Sequence, residues 1–489
     1  METMKPTFRA SMAWLHTWSG LVIGWLLLAI TLAGTLSVFR PEISAWMRPE
    51  LHRRLTDADT ATQAAIGWLT AHAAHAPAWY LEAPNPRTPF TYAVWEDGTS
   101  YAQHALDPKT GAPDVLRDTL GGEFFFRFHF ELQLPYPWGR LIAAMAALAL
   151  VLILLTGIVA HKRIFLDFFT FRPGKGQRSW LDAHNLLGVV ALPFHLMIAF
   201  TGAITLANMI MPWGLTTLYK QDFSALTHDF SPATIEREAS GKPGSLTAFG
   251  PLLADVRHRF APNGLARITV TNPSDSNAVI TFNAIPSASG VSVENHTLSY
   301  DGITGKLLAE HRETRPVMGF YRFLYGLHVA YFAPYVTRWL YFLSGLSLAA
   351  LICTGLQLWT SKRCHRQQGL GFKLVERLNI GMMMGTPTAF AGYFIANRVL
   401  PPFLANRAQM EVRAVFCIWA AILLLAMVRR TDAAWRETLA ISSLTCLTVS
   451  LIGGIPHSPI EWAVSLVSLG IAVLMRYAMR YTPYRKKQS

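Results

Sequence analysis

Six of the sixteen histidines in this chain, His16, His129, His161, His184, His195 and His328, lie within or at the borders of long apolar stretches. An imidazole is costly to hold at membrane depth, and one that is kept there commonly relays protons or binds a metal or cofactor. His184 and His195 are eleven residues apart. At about 100° and 1.5 Å per residue, a continuous helix would bring them onto one face, stacked about 16 Å apart. Two haems placed one above the other across a bilayer fit that spacing, with imidazole nitrogens as axial ligands. The second ligand is His16 or His161 for the inner haem, and His328 or His129 for the outer one. Arg127, Arg140, Arg322 and Arg338 stand near the outer border, where a guanidinium can pair with a haem propionate. The chain has no Cys-x-x-Cys-His, so the haem expected is non-covalent, of b type. The histidines are spread over the full thickness and lack close i, i+4 pairs, which disfavours zinc or copper. No Gly-x-Gly-x-x-Gly after a strand and no Walker sequence offers a nucleotide site. Any one of these histidines also reads as an interfacial side chain capped by a backbone carbonyl; stacking and repetition carry the haem reading for the set.

Helices must position these groups, and the composition says where. Of 489 residues, 52% are hydrophobic and 15% charged, and the apolar ones come in blocks of about 20, long enough to cross a ~30 Å hydrocarbon layer. Eight such blocks are expected: Trp18 to Phe39, Leu141 to Ala160, Leu186 to Ile210, Trp339 to Trp359, Ile380 to Leu400, Val412 to Val428, Leu439 to Ile455 and Ile460 to Met479. The fifth and seventh carry Gly, Thr and Pro and are the weakest. Basic Lys5 and Arg9 precede the first block, but it is too long for a signal peptide and reads as a retained helix. The net charge of +13 sits mostly beside the blocks, at Lys162, Arg163, Arg172, Lys175 and Arg178, at Lys362, Arg363, Arg366, Lys373 and Arg377, at Arg429, Arg430 and Arg436, and at Arg485, Lys486 and Lys487. That is the positive-inside pattern of a multi-pass bacterial inner-membrane protein with both termini cytoplasmic, not a nucleic-acid-binding surface. Cys353, Cys364, Cys417 and Cys446 all fall in the membrane or on its inner side, so no external disulfide is expected.

Two long polar segments, about 41 to 138 and 211 to 338, are left on the outer, periplasmic face. Each has helical and strand-like patterns, with Thr60 to Ala74 and Gly250 to Phe260 helical and Ala266 to Asn272 with Ala278 to Ala284 hairpin-like. An internal duplication orders the whole. His16-Thr17-Trp18-Ser19-Gly20 matches His184-Asn185-Leu186-Leu187-Gly188, and Asp107-Pro108-Lys109-Thr110-Gly111 matches Asp301-Gly302-Ile303-Thr304-Gly305. Arg127-Phe128-His129 with Arg140 matches Arg322-Phe323 and His328 with Arg338, and Thr156-Gly157 matches Thr354-Gly355. The domains expected are a first repeat, 1–163, a second, 164–365, and an appended four-helix bundle, 366–489. The fold class is an all-α polytopic membrane protein of about eight spans with two small α+β outer modules.

The chain resembles the PepSY-associated transmembrane proteins, a family that includes inner-membrane siderophore reductases. The resemblance rests on Trp14-Leu15-His16, the two Asp-x-x-Thr-Gly turns, His161-Lys162-Arg163 followed by Phe168-Phe169-Thr170-Phe171-Arg172-Pro173, and Pro193-Phe194-His195. It implies PepSY-like outer modules and a di-haem reductase that passes electrons from a quinol or cytoplasmic reductase to a ferric siderophore, releasing Fe(II). The rivals are a non-enzymatic PepSY protein that binds peptide or regulates a protease, and a transporter with a histidine proton relay. The repeats run in the same direction and show no broken helix pair, which disfavours the transporter.

Overall fold

The computed structural model describes residues 7–98, 100–161, 170–220, 222–286, 290–292, 295–366, 369–454, 456 and 458–481. Lys162, Arg163, Phe168, Phe169, Ile455 and the closing Arg485, Lys486 and Lys487 lie outside them. The chain divides into two compact units: residues 1–40, 119–210 and 335–489, and residues 41–118 and 211–334.

The first unit is helical. Among the described residues five helices are long and apolar enough to cross a membrane: α1 (Phe8–Ser37), α5 (Trp138–Ala160), α13 (Tyr335–Arg363), α15 (Arg407–Val428) and α17 (Pro459–Ala478). A sixth candidate is a bent pair, α6 (Gln177–Val190) and α7 (Leu192–Thr205), continued by α8 (Ala207–Ile210). The pair bends by 69°, so the continuous helix expected through Leu186 to Ile210 is not formed, and the same-face stacking of His184 over His195 does not apply. Pro193 is the reason. It lacks an N–H and its ring clashes with the carbonyl four residues back, so it starts a helix well and continues one badly.

The fifth and seventh expected blocks form helices α14 (Leu370–Val399) and α16 (Thr431–Ile452), but neither is among the helices apolar enough to count as a span. Their polar side chains face inward. Asn379, Thr386, Thr388 and Asn397 of α14 and Thr438, Ser442 and Ser450 of α16 are buried, and several hydroxyls return to carbonyls four residues back, such as Thr386 to Met382 (2.8 Å) and Ser442 to Thr438 (2.8 Å). Between the helices, Thr388 Oγ1 and Ser442 Oγ lie 2.5 Å apart. Asn379 Oδ1 accepts from the Trp25 indole of α1 at 2.8 Å, and its amide donates to the Leu356 carbonyl of α13 at 3.1 Å. Small residues allow this close packing, which in lipid rests on dispersion and interhelical hydrogen bonds. The short helix α4 (Glu123–Glu131) precedes α5 and carries His129.

In the second unit, α2 (Arg40–Trp46, from the border) leads to α3 (Ala58–His72) and strands β1 (Ala78–Glu82), β2 (Thr91–Asp97) and β3 (Ser100–Leu106). After α9 (Trp213–Tyr219) and α10 (Phe223–Phe230) come α11 (Phe249–Phe260), β4 (Leu265–Thr271), β5 (Val279–Ala284), β6 (His296–Asp301), β7 (Leu307–Arg312) and α12 (Pro316–Val329). The two polar segments, expected as separate modules, share one antiparallel sheet of seven strands in the order β3-β2-β1-β4-β5-β6-β7. The join is β1 to β4, from Ala78 opposite Thr271 to Glu82 opposite Arg267. One core serves both segments: Leu69 of α3 and Val256 of α11 pack with Trp79, Ile268, Ile280 and Phe282. Joining the sheets removes two edges and buries an apolar face that neither segment could fill alone.

The duplicated Asp-x-x-Thr-Gly turns have matching geometry. The amides of Gly111 and Gly305 donate to the carbonyls of Asp107 and Asp301 at 2.8 and 2.9 Å, and both glycines have φ near +70°, at 73° and 70°. The hydroxyls of Thr110 and Thr304 bond the aspartate carboxylates at 2.7 and 2.9 Å. The second turn joins β6 to β7; no named strand follows the first among the described residues.

Carboxylates tie the second unit together. The Arg315 guanidinium, against the opposing effect of burial, holds Glu313 down at about 2. The Asn277 amide, with Ser240 and Gly241, does the same for Asp275, at about 2. Burial works against ionisation of Asp301, but Arg237 and the Thr304 and Ile303 groups prevail and bring it to about 2. These values lie below those of an unfolded chain, near 4. The stability they contribute is therefore complete above about pH 4 and lost as pH falls towards 2. Hydrogen exchange at decreasing pH should show β4 to β7 losing protection in that window, and Asp301→Asn should reduce the acid dependence. Unchanged protection down to pH 2 would contradict it.

Candidate functional site: paired histidines on glycine cradles

At one end of the helical unit, Arg9 Nε donates to the Ala160 carbonyl at 3.0 Å, bringing the start of α1 to the end of α5. His16 of α1 and His184 of α6 meet there, their ring centroids 6.2 Å apart and their planes at 61°. His161 caps α5 and lies close enough to His184 for their charges to interact. The chain therefore brings His16 and His184 into contact and leaves His161 near His184.

Each member of the pair is held by the same device. His16 Nδ1 bonds the Ile153 carbonyl of α5 at 2.9 Å; Thr156 Oγ1 donates to that carbonyl at 3.0 Å, and a Cβ on Gly157 would lie 2.9 Å from the His16 ring. His184 Nδ1 bonds the Leu351 carbonyl of α13 at 3.1 Å; Thr354 Oγ1 donates to it at 2.9 Å, and a Cβ on Gly355 would lie 3.0 Å from the ring. The repeating unit is a carbonyl, a threonine three residues on and a glycine four residues on, which lets the imidazole lie flat against the helix. A carbonyl only accepts, so Nδ1 carries the proton and the neutral ring presents its Nε2 lone pair. Fixing one nitrogen to set the other is how proteins orient a metal-binding histidine.

The carbonyl and glycine of this device, with alanine at position 33 in place of the threonine, recur near the far end of α1. His129 Nδ1 bonds the Ile30 carbonyl at 2.9 Å, and a Cβ on Gly34 would lie 2.6 Å from the His129 ring. His16 and Ile30 are fourteen residues apart on one helix, about 20 Å along its axis. His195 of α7 is wholly buried, and neither ring nitrogen has a partner of hydrogen-bonding geometry, although the Ser344 backbone is nearby. His328 belongs to the last turn of α12, in the other unit. Among the described residues no three His, Cys, Asp or Glu side chains converge, so the donors are available in pairs and not in triads.

Of the four arginines singled out, three already have carboxylate partners. Arg140 meets Glu131 at 3.2 Å and lies over the Phe130 ring at 5.1 Å. Arg127 stands 3.6 Å from Glu131, and Arg322 stands 3.6 Å from Glu313. Arg338 lies over Tyr335 at 5.9 Å.

Two sets of residues escaped the sequence reading. The first is the glycines: Gly157 and Gly355 stood out only as repeated landmarks, Gly34 did not stand out, and their recurrence beside threonine was the available signal. The second is the support of α4. Phe124, Phe125 and Phe128 are buried, with Phe124 against Tyr393 at 4.6 Å, Phe125 against Phe390 at 5.2 Å and Phe128 against Trp419 at 5.9 Å. Beside them Arg407 and Glu411 form a fully buried ion pair. Glu411 also accepts from Asn397 at 2.8 Å and from Thr119 at 2.5 Å, and Arg407 donates to the carbonyls of Asn397 (2.5 Å) and Pro401 (3.1 Å). The i, i+4 spacing of Arg407 and Glu411 at the head of an apolar block was the signal for this cluster.

Comparison with known proteins gives the family of the chain. The model of the PepSY-associated TM region matches residues 13–362, which include the paired histidines and both cradles of the inner site. The chain is also 25% identical over 354 residues to the uncharacterized protein PA4219 of Pseudomonas aeruginosa, covering 67% of this chain and 86% of that one. A match over most of the length, carrying the repeated helix-histidine pattern with it, means that this multi-pass membrane chain belongs to the PepSY-associated transmembrane family.

Proposed function

We propose that the protein is a di-haem b oxidoreductase of the bacterial inner membrane that passes electrons outward to an acceptor in the periplasm. The observation that carries this reading is the His16–His184 pair. With their ring centroids 6.2 Å apart, His16 and His184 would together hold the iron of one haem, which would supply one-electron chemistry there. Both rings have Nδ1 tied down and Nε2 available. His129 shares the carbonyl and the glycine of that device and His195 does not, which favours His129 as an outer ligand. His161 then lies beside the inner haem without ligating it. When bound, the haems supply one-electron transfer; the protein orients the ligands, excludes water around them and tunes their potentials.

Electrons would enter from a quinol or a cytoplasmic reductase. The substrate would be Fe(III) held by a siderophore, which gains one electron and leaves as Fe(II). The sheet-bearing unit is assigned to binding or orienting the ferric complex, as a fused pair of PepSY-like modules. Counting α14 and α16 as spans gives eight, with both termini in the cytoplasm. Arg172, Lys175 and Arg178 before and in the first turn of α6, and Arg429, Arg430 and Arg436 from the end of α15 into the start of α16, support that orientation.

Purified protein expressed with ample haem should be red and yield about two haems per chain by pyridine haemochrome, with b-type bands that sharpen on dithionite. A colourless, haem-free protein would end the redox reading and favour a non-enzymatic role. Reporter fusions at Gly98 and Gly241 should be active only with an exported reporter; cytoplasmic activity at either would reverse the topology and the direction of electron flow.

A further inference from the structure

Helices α16 and α17 leave an open groove of about 470 Å³ between them. The helices are closely joined at small residues, where Ser443 Oγ donates to the Ala472 carbonyl at 2.8 Å and Ala472 is only 4% exposed. Leu444, Leu469 and Val473 line the groove and are 66%, 40% and 59% exposed. With α16 counted as a span, as proposed above, that exposure is to lipid. One stretch of the lining is different: Arg476, Tyr477 and Arg480 bring two guanidiniums and a phenol to the end of α17. Arg476 and Arg480 are four residues apart, so they share a helix face. Arg476 meets the Met479 sulfur at 3.8 Å, and neither arginine forms an ion pair with a carboxylate among the described residues.

We infer that this groove is a binding site for an anionic phospholipid, with an acyl chain in the apolar slot and the phosphate on Arg476 and Arg480. Both halves of the ligand are needed to satisfy the lining. A zwitterionic lipid fills the slot but brings its own cation to the arginines, and a free phosphate leaves the slot empty. Basic pockets between membrane helices select anionic headgroups on these grounds. Each arginine near the surface is worth about 1 kcal/mol to an anionic lipid, so the pair should favour phosphatidylglycerol over phosphatidylcholine by about thirty-fold. This inference does not depend on the haem reading.

The test is native mass spectrometry of the full-length protein released from detergent after incubation with equal amounts of the two lipids. The protein should retain one phosphatidylglycerol selectively, and the double variant Arg476→Gln, Arg480→Gln should bind both lipids equally. Arg413→Gln, which removes an exposed cation from α15, should leave the selectivity intact. Ser443→Leu, which fills the slot, should lower retention of both lipids while thermal unfolding in detergent confirms the fold. Equal retention of both lipids by the unaltered protein, or displacement of phosphatidylglycerol by millimolar inorganic phosphate, would overturn the inference.

Discussion

Replacing His184 with alanine should, on the di-haem reading proposed above, remove one haem and stop electron entry, while dithionite should still reduce the haem that remains. His16→Ala should have the same effect, since the two ring centroids lie 6.2 Å apart and each ring has its Nδ1 bonded to a carbonyl, which leaves Nε2 for a ligand bond. Loss of one of the two side chains that would hold the haem could shift its spectrum without releasing it, so haem content and spectrum are measured together. The glycine cradles provide a separate check that leaves the ligands in place. A Cβ at Gly157 or Gly355 would stand 2.9 or 3.0 Å from a ring atom, so Gly157→Val should displace the His16 ring and lower the occupancy of the same haem. On the outer side, His129→Ala should cost a haem and His195→Ala should not. If His184→Ala retains two haems with unchanged spectra, the inner assignment is wrong. If instead a haem is lost from His195→Ala and none from His129→Ala, the outer ligand is His195.

The second large effect is expected at the buried ion pair. Glu411→Ala would leave the Arg407 guanidinium fully buried without its carboxylate, and breaking such a pair costs about 3–5 kcal/mol. Asn397 and Thr119 would also lose an acceptor, since both donate to Glu411. The double variant Arg407→Met, Glu411→Leu removes both charges and should recover most of the loss, because an apolar pair of similar volume is often as stable. Chemical unfolding in detergent, followed by tryptophan fluorescence, measures both. The cluster adjoins the aromatic packing that fixes α4, the helix that carries His129. Glu411→Ala should therefore also broaden the spectrum of the outer haem and leave the inner one unchanged. A Glu411→Ala protein as stable as the parent would mean that the pair is not buried as described.

Much of this was legible in the order of residues. Apolar blocks of membrane length located the helices, because a bilayer leaves a spanning segment few alternatives to an apolar helix. Alternating β-branched runs located β4 and β5, and the duplication located both Asp-x-x-Thr-Gly turns before any geometry was known. The grouping of His16, His161 and His184 at one border also followed from position alone. Other features depended on which chain segments meet. The 69° bend at Pro193 separated two histidines that helical periodicity had stacked, because periodicity assumes a continuous helix and does not register a missing N–H. The fusion of two modules through β1 and β4 depended on which edges were left unpaired, a property of the folded sheets and not of either strand. The pairing of His16 with His184, and the glycines that admit their rings, required carbonyls on α5 and α13, more than 130 residues away in sequence for His16 and more than 160 for His184. Sequence determines which residue types are available and the period at which they recur; tertiary packing decides which lone pair is left free, because that depends on what the other nitrogen meets.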